Sequence, residues 1–409
     1  MVNPRPAARP APARRTRHIG QPDRRPGARM PQTDRILTTH VGSLPRPGHL
    51  LDLLNADDRG EGVDRQQLAD AVRDCVRDQV AKQAEVGIDV VSDGEMSKIG
   101  YATYLRHRIS GFEIGDAPRA TPADLDEYPG YRDRLHASGD TVAYLRPICR
   151  AELAYVDRGP LDTDLANLAA AVDGAGVVGG FMNAPSPGIV ALFQPNEFYP
   201  DEDSYLNAIG ETMKTEYDAI VAAGFDLQID APDLGMGRHN KFKNLSDADF
   251  LERAQVQVEV LNHALRDIPA EKVRMHLCWG NYEGPHTFDI EVEKIADVVL
   301  GAKPATLLCE AANPRHGHDW AGWAAAKIPD DKVFCPGVID TTTNFVEHPG
   351  LVAERILRYT DIVGRERVMA GTDCGFGTFA GWGGVVVELA WEKMRSLVRG
   401  AEIATEKLW

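Results

Sequence analysis

The sequence predicts an α/β protein built as a single (β/α)₈ TIM barrel with loop insertions. Three observations predict it. From about residue 64 onward, stretches with helical periodicity alternate with short β-rich runs, the pattern of a parallel sheet covered by helices. Eight such runs stand out, and nearly every one ends on a residue able to bind or react. In a barrel those ends converge on one face, so residues far apart in sequence become neighbours.

The runs are 36–41, 88–91, 177–182, 225–229, 273–277, 305–308, 333–338 and 368–371. Asp64 is placed to cap a helix carrying Leu68, Val72, Val76 and Val80, and Gly87 to end it. A second helix holds Leu206, Ile209, Met213 and Ile220 and closes at Gly224. Ser246 with Asp249 opens a third in capping-box style, with Phe250, Ala254, Leu261 and Leu265 on its apolar side. A ninth β-like run, 142–155, competes for a place, and 111–134 reads as a long excursion on the loop side. An open doubly wound sheet is the alternative; no Gly-rich phosphate loop follows the early strands to support it.

The chain has 409 residues and a net charge of −16, which disfavours a nucleic-acid partner because phosphate binding draws on clustered Lys and Arg. Residues 1–33 read as a disordered basic leader, rich in Pro and carrying eight Arg against one Asp, with Met30 as an alternative start. Residues 34–409 form the barrel domain. No apolar run is long enough to cross a bilayer, and a cytoplasmic location is expected. The six cysteines are dispersed, unlike a disulfide framework, so reduced thiols are expected, some of them on metal.

His276 and Cys278 sit two apart at a strand end, where both point to one side. Glu310 ends the next strand and Cys374 the last. Together they make a Cys₂HisGlu set suited to Zn²⁺. Each residue alone reads more readily as an ordinary buried side chain; the set in strand order favours a site built for chemistry. A metal carrying two thiolates generates hydroxide poorly but lowers the pKa of an incoming thiol, so the ligand set points to sulfur alkylation.

The motifs Thr38-Thr39-His40-Val41-Gly42-Ser43-Leu44-Pro45, Asp93-Gly94-Glu95, Gln228-Ile229-Asp230-Ala231-Pro232, His276-Leu277-Cys278, Glu310 and Asp373-Cys374-Gly375 resemble, in order, those of the catalytic domain of cobalamin-independent methionine synthase. The resemblance spans roughly residues 36–380. It implies a zinc set of His276, Cys278, Glu310 and Cys374, with Ser43, Glu95 and Asp230 holding the amino-acid part of homocysteine. The function it implies is methyl or alkyl transfer to the sulfur of a small thiol. The family's proton-donating histidine is matched here by Thr342, a poor acid for a folate leaving group. That segment, with Cys278-Trp279-Gly280-Asn281-Tyr282-Glu283-Gly284, is similar to the single-domain branch that includes epoxyalkane:coenzyme M transferases. Epoxide opening by a zinc-bound thiol is therefore the alternative, and a zinc hydrolase or a silent zinc scaffold the readings from other classes. A homo-oligomer is compatible with all of them.

Nearby residues carry open readings. His316 and His318 line the pocket or lie in a solvated loop; Arg315 contacts an anion or is a surface charge; Trp279, Tyr282 and Phe193 form pocket walls or simply pack; Cys309 faces the core.

Overall fold

The computed structural model describes residues 34–115, 121–137 and 146–409. The basic leader expected at 1–33 lies outside the described residues.

Eight parallel strands form one nearly closed barrel: β1 (Leu37–Thr38), β2 (Val90–Val91), β5 (Gly179–Pro185), β6 (Asp226–Asp230), β7 (Val273–Leu277), β8 (Thr306–Glu310), β9 (Val333–Ile339) and β10 (Met369–Thr372). Their order around the wall follows the chain, with β10 beside β1. The seam between β1 and β2 is joined by the Asp89 N–H donating to the Thr38 carbonyl at 3.1 Å and by the Thr39 hydroxyl donating to the Val90 carbonyl at 2.9 Å. The eight strands thus fall where the sequence places them. The ninth run yields β4 (Arg146–Cys149), which pairs antiparallel with β3 (Phe112–Gly115) as a hairpin outside the barrel.

Local chemistry accounts for the helices that cover the wall. The Asp64 carboxylate accepts the Gln66 and Gln67 N–H groups to start α2 (Arg65–Val86), and Gly87 ends it at φ 101°, a conformation costly for any residue with a Cβ. Ser246 accepts the Asp249 N–H to start α8 (Asp247–Ala264). Both helices, like α7 (Glu202–Ala222) and α11 (Pro349–Val363), bury an apolar stripe against the sheet. Among the described residues no helix is long and apolar enough to cross a membrane.

Alternation along β6 shows how the barrel aims its chemistry. Leu227 and Ile229 join the apolar layer under the helices, whereas Gln228 and Asp230 face the interior. There the Gln228 amide donates to the Val41 carbonyl and to Asp230. Arg274 on β7 donates to the Thr39 hydroxyl at 3.0 Å and the His40 carbonyl at 2.8 Å, with its guanidinium stacked over Phe181. The interior beneath the strand ends is therefore a polar, cross-linked plug that fixes their relative heights.

Candidate thiol and metal centre

One cavity of about 220 Å³ opens at the C-terminal ends of the strands. Ser43, Glu95, Asp230, His276, Cys278 and Cys374 all line it. In the strand register Asp230 is the direct partner of His276, which brings an acid beside the imidazole.

His276, Cys278 and Cys374 each present a ligand atom within 4.8 Å of the others. The two sulfurs stand 4.0 Å apart, far beyond a disulfide bond. Two thiolates on a tetrahedral zinc at about 2.3 Å each would be separated by about 3.8 Å. Neither ring nitrogen of His276 makes a well-formed hydrogen bond although the residue is buried. Burial holds its basicity down to about 3, so the ring is neutral and its lone pair available. The second thiol and burial push Cys278 well above the ordinary thiol range, a conflict that a bound cation relieves. These residues fit zinc.

Glu310 is not part of this three-residue cluster. Its carboxylate is turned to the neighbouring loop, where it accepts the Trp279 N–H at 2.9 Å, and burial raises its pKa. Thr342 does not reach the cavity wall: its N–H and hydroxyl both engage Asp340, at 3.1 and 2.8 Å. His316 is buried behind Trp279, its ring stacked on the indole at 4.4 Å, and His318 is exposed. Arg315 donates to Glu291. Trp279 is fully buried, whereas Tyr282 and Phe193 do line the cavity. Cys309 is buried in the core.

Glu95 has a left-handed backbone, φ 59°, rare outside glycine and held by its N–H donating to Asp93 at 2.9 Å. One of its carboxylate oxygens has no hydrogen-bond partner, with Arg46 at 3.7 Å. Burial raises its pKa to about 7, against the pull of Lys98. Burial likewise raises Asp230 to about 6, although the Asn183 and Gln228 amides both donate to it. Two buried carboxylates in one cavity, one of them with an unpartnered oxygen, make a receptor for a cation. Ser43 is pressed against the chain at Gly375, where a Cβ would lie 1.9 Å from its hydroxyl; only glycine lets these two strand ends meet.

Sequence reasoning missed His239, which lines the cavity from a 3₁₀ turn (Met236–His239) and donates to the Trp279 carbonyl. It also missed Phe379 and Trp382 in the loop after β10. None belongs to a strand-end motif, so no spacing announced them.

No family model matches the chain. A methionine synthase from Saccharolobus solfataricus is 24% identical over 376 residues, covering 91% of this chain and 95% of that protein. One from Sulfurisphaera tokodaii is 22% identical over 374 residues, covering 91% and 93%. Among solved structures, a B12-independent methionine synthase from Shewanella sp. W3-18-1 superposes with a TM-score of 0.68 at 17% identity over 91% of this chain and 99% of that one. A putative vitamin-B12 independent methionine synthase from Listeria monocytogenes gives 0.62 at 18% identity, over 90% and 98%.

Proposed function

We propose that this chain, a relative of the cobalamin-independent methionine synthases over the length of its barrel, is a zinc-dependent transferase that alkylates the sulfur of homocysteine. The observation that carries the proposal is the meeting of His276, Cys278 and Cys374 in the same cavity as Glu95 and Asp230. We assign the three cluster residues as metal ligands and Glu310, whose charge reaches Cys278, as the fourth. Zinc bound there supplies a low pKa to a coordinated thiol, so that the acceptor is a thiolate near neutral pH.

The protein's own groups do the rest. Glu95 and Asp230 bind the substrate ammonium, whose charge draws both acids into their ionised forms. Asn183 and Gln228 hold the Asp230 carboxylate in place through their amides. Ser43, at the opposite strand end, offers a hydroxyl to the substrate carboxylate. Orienting the acceptor by its amino-acid end sets its sulfur toward the thiol cluster, and this positioning makes the transfer effectively unimolecular. The ligand thiols must stay reduced, so we place the work of the enzyme in the cytoplasm.

The epoxide-opening alternative takes support from the threonine at position 342 and from the segment 278–284. Against it, the described cavity wall carries Glu95 and Asp230 and no Lys or Arg to receive a sulfonate. X-ray absorption at the zinc edge tests the main proposal. Homocysteine should add one sulfur neighbour to the metal; an unchanged sulfur count with homocysteine and a gain with coenzyme M would transfer the assignment to the alternative. A hydrolase would give neither result.

A further inference from the structure

The thiol cluster and the acids occupy only part of the cavity wall. Tyr101, Phe193, Phe379 and Trp382 line it as well, and they form one aromatic group. Tyr101 meets Phe193 and Phe379 at centroid distances of 5.7 Å each, Phe193 meets Phe379 at 6.1 Å, and Phe379 meets Trp382 at 6.4 Å. The faces of such rings carry the negative part of an aromatic quadrupole and attract cations whose own hydration is weak.

The charge of the cavity agrees. Among the described residues that line it, the formally charged side chains are Glu95 and Asp230, both acidic, and none is Lys or Arg. A donor bearing sulfonate, phosphate or several carboxylates would meet no counter-charge among the described residues of this wall. The demand for a proton points the same way. Thr342, at the position where the resemblance calls for an acid, has its hydroxyl engaged with Asp340 away from the cavity. The Tyr282 hydroxyl donates to Asp124 at 2.9 Å. Glu95 and Asp230 are committed to the acceptor ammonium, and His239, a weaker base through burial, gives its ring N–H to the Trp279 carbonyl. A leaving group that departs as a neutral molecule needs no proton at all.

We infer that the ring-lined part of the cavity binds the methyl donor as an onium cation, a sulfonium or quaternary ammonium whose methyl group faces the acceptor sulfur. In the transfer, a lone pair of the acceptor thiolate forms the new carbon–sulfur bond. The bond from that carbon to the onium sulfur or nitrogen breaks, and its electron pair stays on the leaving atom. A thioether or tertiary amine leaves uncharged, and no proton, oxidant or reductant is required. The inference rests on the thiol-alkylating reading above for the identity of the acceptor, but the binding of the cation is separable from it.

Calorimetry of the zinc-loaded protein with choline and its uncharged isostere 3,3-dimethylbutan-1-ol, and with trimethylsulfonium, tests the site without any thiol present. The cations should bind at least about tenfold more tightly than the isostere, as expected for a desolvated cation against aromatic faces. Trp382 is half-buried, so Trp382→Ala should fold and lose most of the preference, while Trp382→Phe keeps a ring and keeps it. Glu95→Gln should retain the preference, since the rings rather than the acids confer it. Equal binding of the isostere, or a preference lost in Glu95→Gln and kept in Trp382→Ala, overturns the inference. The turnover arm offers homocysteine with dimethylsulfonioacetate, glycine betaine, methyltetrahydrofolate or 1,2-epoxypropane and reads the thioether by mass spectrometry. An onium donor should lead by at least tenfold in kcat/KM, and the better of the two identifies the leaving atom; a lead by the folate or the epoxide overturns the inference. Should the zinc edge gain no sulfur while choline still outbinds its isostere, the acceptor assignment falls and the onium site stands.

Discussion

Asp373, at the end of β10, accepts the Ala311 N–H at 2.8 Å, and so ties the strand that delivers Cys374 to the residue that follows Glu310. The same carboxylate takes the Ala312 and Asn313 N–H groups at 2.9 and 2.6 Å. Three backbone donors on one buried acid make a rigid bracket between two predicted ligand strands. Asp373→Asn keeps the shape but brings an amide NH₂ against those donors. It should leave the protein folded and weaken zinc binding by about 10- to 100-fold, the usual cost of removing a group that orients metal ligands. Competition with a chelator of known affinity measures this; zinc affinity equal to that of the unmodified protein would show that the bracket does not orient the ligands.

Removing a sulfur is a harsher change. Cys374→Ser should bind less than about a tenth of the zinc of the unmodified protein, because a neutral hydroxyl does not replace a thiolate ligand. The barrel core does not pass through this residue, so circular dichroism and the urea midpoint of the metal-free protein should barely move. Retention of full zinc occupancy would mean that Cys374 is not a ligand.

The barrel was legible because strand runs, caps and turn glycines are local signals, and the Val273–Leu277 strand ran to its predicted limits. The cluster was legible because His276 and Cys278 share a strand-end face. What strand-end polarity does not reveal is the direction in which each side chain turns. His40 lies two residues beyond β1, yet its ring bonds to Gln83 on α2 and serves the wall. Asp340 ends β9 and spends its carboxylate on Thr342 and Thr343. Phe379 and Trp382 lie in a loop whose path depends on packing against residues around Gly100, and no local rule places them.

Glu95 offers a test of the balance between stability and binding. Its pKa rises from an ordinary 4.5 to about 7 through burial. A carboxylate raised in this way favours the folded state while it is protonated. The contribution is full below pH 4.5 and is lost as the pH climbs through 7, leaving an ionised, desolvated acid. Glu95→Gln removes that conflict. The variant should match the unmodified protein near pH 4.5 and exceed it at pH 8 by up to about 3 kcal/mol, while binding homocysteine at least tenfold more weakly. Urea denaturation at the two pH values and calorimetry at pH 8 decide it. A variant less stable at pH 8 would sink the account of a strained receptor.

Thr342 gives a prediction of the opposite kind. Its hydroxyl and N–H cap Asp340 outside the cavity. Thr342→Ala should therefore cost about 1 kcal/mol of stability through the lost hydrogen bond and change kcat by less than about twofold. A loss of kcat of a hundredfold or more at unchanged KM would restore Thr342 to a role in proton transfer.

Behind Trp279, the His316 ring meets a carboxylate on each nitrogen, Asp319 on Nδ1 and Asp289 on Nε2, both at 2.9 Å. Burial alone would make this ring a weaker base; Glu310, Asp289 and Asp319 outweigh it and lift its pKa to about 11. A histidine raised above its ordinary 6.5 stabilises the fold fully below pH 6.5 and progressively less up to about 11. Asp289, held near 2 because the hydrogen bonds from His286 and His316 outweigh its burial, contributes throughout that window. His316→Ala strands two buried carboxylates and should cost about 3–5 kcal/mol at pH 6, with a smaller deficit at pH 10.5. Urea denaturation of both proteins at the two pH values checks the sign. A deficit that does not shrink with rising pH would mean that His316 supports Trp279 by stacking alone and carries no charge.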